Sequence, residues 1–322
     1  MTEGPEIHDI TKFKDFHIHH VTYKVISNHP LNLSILVPKL LVSTGKLSKN
    51  TPLITEFRRI PRRRTPHLLT LVLRLNSPNL KPPLNRLIEL ALSKPAIIVT
   101  PDYRLLPEAN GHDILSDLAS FWDWVPKNLE SKLEEFYPEM NIRPDLNNIL
   151  ATGSSAGGWM VCQSMFLHPE INIQAAILAY PMIDLRDRFW TEEYVKPIFQ
   201  LPNLPYTIVE EHLKNTPPNT VVTVDGDIEE KSELKRIPIA ISMNLGKAER
   251  VPPFIWVFHG KQDSAVPISG SERLVNDLKR YRPEVRVRFD AKEGDHGFDG
   301  DDRVSITGGW VKKGVEELSA IW

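Results

Sequence analysis

The chain has a single cysteine, Cys162, so no disulfide can form within it. It has no long apolar run: every hydrophobic stretch meets a charge or a proline before the roughly 20 residues a bilayer requires. The opening stretch, Met1-Thr2-Glu3-Gly4-Pro5-Glu6, is acidic and carries no apolar leader core. The formal net charge is only -2, which excludes bulk attraction to nucleic acid or another polyanion. A cytoplasmic protein is the expectation. Glycine is scarce in the first half: only Gly4, Gly45 and Gly111 precede Gly153, and no two stand together before Gly157-Gly158. What remains is ordinary for a globular protein, with 322 residues, 41% hydrophobic and 25% charged. That length admits one large α/β domain or two smaller ones and can bury a sizeable core.

Residues 17–26 and 31–37 are rich in β-formers and flank Ser27-Asn28-His29-Pro30, which predicts a hairpin. His17, His19 and His20 lie on its first strand without cysteine or carboxylate neighbours and read as exposed strand residues rather than metal ligands. From Leu87 the chain alternates helical and strand patterns. Residues 87–92 look helical, 96–100 form a buried strand, and 114–124 carry an apolar face at helical spacing. Buried strands follow at 148–150, 175–180 and 254–258, with a half-polar one at 285–289, and helices at 269–281 and 309–321. Strands alternating with helices imply a mostly parallel, twisted sheet covered on both faces. Residues 186–249 keep no period and read as an insertion.

The chain is organised around Gly153-Ser154-Ser155-Ala156-Gly157-Gly158, which lies between an apolar strand and an apolar helix. This G-x-S-x-G pattern puts Ser155 on a sharp turn, where the flanking residues must be small, and at a helix N-terminus, which favours negative charge. Cys162 falls in the helix behind it and reads as a small buried residue. A serine hydroxyl needs a base, and the base an orienting carboxylate. Parallel sheets deliver such groups from loops at the C-terminal strand ends. Two further loops qualify: His259-Gly260-Lys261-Gln262-Asp263 after one strand, and Glu293-Gly294-Asp295-His296-Gly297-Phe298 after the next. The order is Ser155, Asp263, His296. His259 and Asp295 are the close rivals. His259 reads as a brace of the acid loop, and Asp295 adjoins His296 too closely in sequence to face its ring.

These motifs, with Asp102-Tyr103-Arg104-Leu105-Leu106-Pro107-Glu108, resemble the hormone-sensitive-lipase-like esterases of the α/β-hydrolase fold, over most of the chain from Leu87 onward. The resemblance implies one α/β-hydrolase domain over residues 1–322 with a cap insertion at 186–249. It implies hydrolysis of a small-molecule carboxylic ester through an acyl-serine intermediate. Ser155 would be the nucleophile, His296 the base, Asp263 its orienting acid, and the Ala156 backbone N–H one oxyanion donor. No metal or organic cofactor is implied. The Asp102–Glu108 motif would be structural. Two rival functions stand beside this one: a hydrolase acting on a lactone, thioester or polyketide-like biosynthetic intermediate, and a catalytically silent scaffold of the same fold.

The sequence departs from the family upstream. There the family carries a His-Gly-Gly-Gly loop whose N–H groups complete the oxyanion hole. Here stands Arg58-Arg59-Ile60-Pro61-Arg62-Arg63-Arg64-Thr65, within an anomalous segment, 58–85. As a nucleic-acid patch it has no supporting basic face elsewhere. As a diverged loop it implies a weak or non-hydrolytic member. A third reading comes from the genetic code: Pro-Arg-Arg-Arg-Thr encoded CCA CGG CGG CGG ACN reads CAC GGC GGC GGA one base later, which is His-Gly-Gly-Gly.

Overall fold

The computed structural model describes residues 13–43, 51–57, 84–196, 198–200, 205, 207–217, 219–221, 230–231, 248–300 and 305–322. In chain order the strands of the main sheet are β1 (Phe16–Ile26), β2 (His29–Pro38), β3 (Thr51–Phe57), β4 (Ile97–Pro101), β5 (Pro144–Ser154), β6 (Ile173–Ala179), β7 (Phe254–Gly260) and β8 (Arg286–Lys292). They lie side by side as β1-β2-β4-β3-β5-β6-β7-β8. β1 pairs antiparallel with β2, and β2 with β4; every other pairing is parallel. The hairpin turns through Ser27 (φ 47°) and Asn28 (φ 64°). Two consecutive positive φ values are the type I′ geometry that matches strand twist.

The described helices include α1 (Leu84–Ser93), α2 (Gly111–Phe136), α3 (Ala156–Leu167), α4 (Arg188–Thr191), α5 (Thr207–Asn215), α6 (Ile268–Tyr281) and α7 (Gly309–Ser319), besides a short one at Lys39–Ser43. Alternation along the strands sorts the core into two layers. Leu53, Ile149, Ala151, Ile255 and Val257 face α2, α3 and α6. Ile54, Leu150, Ala175, Phe254 and Trp256 face α1 and α7. Each fully buried large side chain contributes about 1.5–3 kcal/mol. Under the end of β3, Phe57 meets the edges of Phe121 and Trp122 of α2, at 5.5 and 5.9 Å between ring centres. Among the described residues no helix is long and apolar enough to cross a membrane.

Two expectations change. The helix foreseen over 114–124 runs from Gly111 to Phe136 with Pro126 inside it. Its start is fixed by a capping box: Asn110 Oδ1 accepts from the N–H of His112 and Asp113, while Asp113 Oδ2 accepts from the N–H of Asn110. It continues past Pro126 because Leu129 and Leu133 extend the buried stripe of Leu118, Trp122 and Val125. His19 is only half-exposed. Its ring stacks on Phe136 at 4.0 Å, and its Nε2 lies 2.7 Å from the Tyr137 hydroxyl. Burial first, then the neighbouring His17, lowers its pKa.

Candidate active site

β5 runs directly into Ser155, which has φ 56° and ψ -119° and precedes the first residue of α3. A left-handed backbone at a non-glycine residue is strained and persists only where its surroundings over-determine it. They do so here. The Ser155 N–H donates to Ala179 O at 2.9 Å, and Ser155 O accepts from Met182 N–H at 3.0 Å and Trp159 N–H at 3.3 Å. The glycines around it are demanded by space. A Cβ on Gly153 would lie 2.3 Å from Gly157 O, one on Gly157 1.7 Å from Phe57 O, and one on Gly158 2.6 Å from Pro181 Cβ. Ala156 opens α3, so its N–H is a first-turn donor that no carbonyl of the helix takes.

The parallel register brings the loops after β7 and β8 to the same edge. Lys292 stands opposite Gly260, and Ala179 opposite Phe258. Asp263, whose side chain is fully buried, accepts from the N–H of Val266 at 2.7 Å and of Ala265 at 3.0 Å through Oδ1. Its Oδ2 lies 2.8 Å from His296 Nδ1. A carboxylate only accepts, so in the neutral imidazole Nδ1 carries the proton and Nε2 keeps its lone pair. The buried His259 supports the same carboxylate, with Nε2 3.1 Å from Oδ2 and 2.9 Å from Val266 O, while its Nδ1 meets Ser271 Oγ at 2.8 Å. Burial opposes ionisation of Asp263 most strongly. The hydrogen bonds from His259 and His296, the charge of His296 and the Val266 N–H together outweigh it and hold the carboxyl at about 2.

Tyr180 joins the two halves. It comes directly after Ala179, which receives the Ser155 N–H, and its ring meets the His296 ring edge-on at 4.5 Å. Among the contacts of the described residues there is no hydrogen bond between the Ser155 hydroxyl and His296; such bonds are often long without substrate. The sequence-selected residues thus divide into a bonded pair, Asp263 and His296, and a serine turn fastened to the strand end beside them. Phe199, between α4 and α5, also reaches the site, with its ring 6.1 Å from that of His296. A cavity lined by Thr152, Ser154, Trp256 and Val315 lies on the α1 and α7 side of the sheet, and none of Ser155, Asp263 and His296 lines it.

Residues 76–231 match the family model described as alpha/beta hydrolase fold. A probable carboxylesterase, M8, of Phoma sp. is 32% identical over 256 residues, which span 73% of this chain and 78% of that protein. The chain belongs to the α/β-hydrolase fold family. A non-reducing polyketide synthase of Penicillium roqueforti, mapC, shares 33% identity over 112 residues, 34% of this chain and 4% of that protein. Among solved structures, Thermogutta terrifontis esterase 2 phosphonylated by sarin superposes with a TM-score of 0.52 at 19% identity, covering 94% of this chain and 92% of that one.

In this α/β-hydrolase, Arg104 of the Asp102–Glu108 motif binds Asp117 with its backbone N–H, Nε and Nη2, and Asp113 with Nη1. Tyr23 donates to Asp102 O at 2.6 Å. The motif therefore ties the loop after β4 to α2 and β1. Glu108, nearly buried, meets His212 of α5 at 2.6 Å and so ties the motif to that helix. Reading the sequence missed Tyr180 and Ser264. Ser264 adjoins Asp263, and nothing in that spacing says where its hydroxyl points. The anomalous residues 58–83 lie outside the described residues.

Proposed function

We propose that this carboxylesterase-like serine hydrolase cleaves a small-molecule carboxylic ester with Ser155 as nucleophile, His296 as general base and Asp263 as its orienting acid. The observation that supports the reading is the Asp263–His296 hydrogen bond of 2.8 Å, which in the neutral ring leaves Nε2 as the accepting nitrogen. Ser155 Oγ attacks the ester carbonyl and its proton passes to His296 Nε2. The tetrahedral oxyanion takes the Ala156 N–H as one donor. Its collapse expels the alcohol, which leaves with the proton from Nε2. Water, deprotonated by the same nitrogen, then releases the acid and regenerates Ser155. The scheme uses no metal or organic cofactor. Residues 186–249 act as the cap: Phe199 lies against His296, and Glu108 holds α5 to the body.

The stretch shared with a polyketide synthase favours a second reading, in which the acyl group is polyketide-like and the bond is a thioester or lactone within secondary metabolism. A panel of p-nitrophenyl esters, lactones and N-acetylcysteamine thioesters separates the two by relative kcat/KM. For the machinery itself, a fluorophosphonate should label Ser155, with Ser155→Ala abolishing the label. Wherever turnover is measurable, Ser155→Ala, His296→Ala and their combination should each lower kcat by about four to six orders of magnitude, with little further loss in the double variant. Strictly multiplicative losses would remove these residues from a common unit. Absence of both labelling and turnover would make the chain a silent scaffold.

A further inference from the structure

The contacts of Asp295 are unlike those of a solvated loop carboxylate. Its Oδ1 accepts from Ser264 N–H at 2.7 Å, from Ser264 Oγ at 2.9 Å and from the backbone N–H of His296 at 2.7 Å, with Oδ2 3.0 Å from the same hydroxyl. Ser264 Oγ, having given its proton to the carboxylate, accepts from the N–H of Phe199 at 2.9 Å. One unbroken path therefore runs from the inserted region through the acid loop to the backbone of His296.

The path acts where the chain would otherwise turn freely. Gly294 (φ 132°) and Gly297 (φ 77°) flank the Asp295-His296 pair, and both occupy the region that L side chains rarely adopt. Glycine leaves the backbone wide freedom on either side. Asp263 fixes the ring of His296 through Nδ1 but does not touch its backbone. The Asp295 carboxylate does so, and it fastens that backbone to the residue next to Asp263. At the far end, Phe199 has φ 51° and ψ 24°, a strained conformation for an aromatic residue. Its N–H is held by Ser264 while its ring sits against His296.

We propose that Asp295 and Ser264 are positioning residues: together they set the His296 loop and seat Phe199 of the inserted region on the His296 ring, so that placement of that segment and aim of the base are coupled. The proposal rests on His296 acting as the base of Ser155. A misaimed base slows the chemical step and leaves ground-state binding of the reagent almost untouched.

The test is the rate of Ser155 labelling by an alkyl fluorophosphonate, resolved into maximal rate and half-saturating concentration, on the full chain. Ser264→Ala and Asp295→Ala should each lower the maximal rate about tenfold to a hundredfold, with half-saturation changed less than about twofold. The double variant should be no slower than the worse single one, because the two act through one path. Ser264→Thr, which keeps the hydroxyl, should restore the rate. Glu293→Ala removes exposed links to Lys261 and Gln262 in the same loop and should change nothing. If Asp295→Ala fails to fold, the Ser264→Ala and Ser264→Thr pair decides alone. Full labelling rates in Ser264→Ala, multiplicative losses, failure of threonine to rescue, or an equal loss in Glu293→Ala would each overturn the proposal. His296→Ala is the reference: if it labels normally, the base assignment falls first, and the positioning role of Asp295 and Ser264 falls with it for a different reason.

Discussion

β3 and β5 are neighbours in the sheet and end at the same level, with Phe57 opposite Gly153. The segments they lead into could hardly differ more. β5 runs into Gly153-Ser154-Ser155-Ala156-Gly157-Gly158, where each glycine answers to an atom that a Cβ would strike. β3 runs into Arg58-Arg59-Ile60-Pro61-Arg62-Arg63-Arg64, without a glycine and with a proline that has no N–H to give. In the proposed mechanism, then, the nucleophile and the first oxyanion donor are written in one segment and the remaining donors in another. The serine turn and the Asp263–His296 pair lie on β5 to β8 and the loops that follow them, while β3 pairs alongside β5 as far as Phe57 opposite Gly153. Attack by Ser155 and stabilisation of the oxyanion should therefore be separable in experiment.

The largest way to break the contrast is to rewrite the arginine segment. In the proposed mechanism Ala156 supplies one oxyanion donor, and a tetrahedral intermediate calls for a second aimed at it. The chain as written should react slowly with a fluorophosphonate and turn over p-nitrophenyl butyrate poorly. Replacing residues 58–85 by the frame-shifted segment carrying His-Gly-Gly-Gly should raise kcat by roughly two to three orders of magnitude, the scale of a restored donor. A native chain already as fast as the graft means that another group gives the second donor. The codons for Pro61-Arg62-Arg63-Arg64-Thr65 test the origin: if the shifted frame does not encode His-Gly-Gly-Gly, the displaced-frame reading ends.

A smaller break lies where the first turn of α3 approaches the end of β3. A Cβ on Gly157 would sit 1.7 Å from Phe57 O and 2.8 Å from Phe57 C, and backbone of a central strand cannot swing aside as a long side chain can. Gly157→Ala should lower stability by about 3 kcal/mol or more, as over-packing does, and should disturb both strand ends together. Gly308→Ala is the matching control, since a Cβ there meets nothing within 4 Å. Denaturant midpoints read the difference; equal shifts in the two variants would mean that the close approach carries no energy.

Much of this architecture was legible because the signals are local and periodic. Alternation and apolar runs located the strands, and the two loop motifs put Asp263 and His296 after adjacent ones. Other features were illegible for stated reasons. Pro126 reads as a helix stop, yet the buried stripe of Leu129 and Leu133 carries α2 beyond it. His19 looks like an exposed strand residue until Phe136, far away in the chain, stacks on it. Ser264 and Asp295 adjoin the residues that the motifs select, but a sequence does not say which way an adjacent hydroxyl or carboxylate turns. Tyr180 carries no motif at all; it matters because the strand beside Ser155 ends there.

The smallest effect sharpens the contrast by asking how firmly the acid loop is held without reference to β3. The Asp263 carboxyl sits at about 2 in the folded protein against an ordinary 3.8. A depressed carboxyl stabilises the fold fully above its unfolded value and loses that contribution as pH falls through the folded value. The window is therefore from about pH 4 down to about pH 2, and the contribution is about 2 kcal/mol. Asp263→Asn has the same shape but does not ionise. At neutral pH it should be less stable than the native chain by at least that amount, and the gap should close as pH falls across the window. Urea midpoints of both proteins, taken at steps between about pH 5 and about pH 2.5, read the gap directly. A gap that stays constant with pH would show that the contacts of His259, His296 and the Val266 N–H only offset burial and leave the carboxyl at its ordinary value. A gap that widened as pH fell would mean a raised carboxyl, neutral in the folded protein, so that His296 would lose its anionic partner and the case for Nε2 as the base of Ser155 would weaken with it.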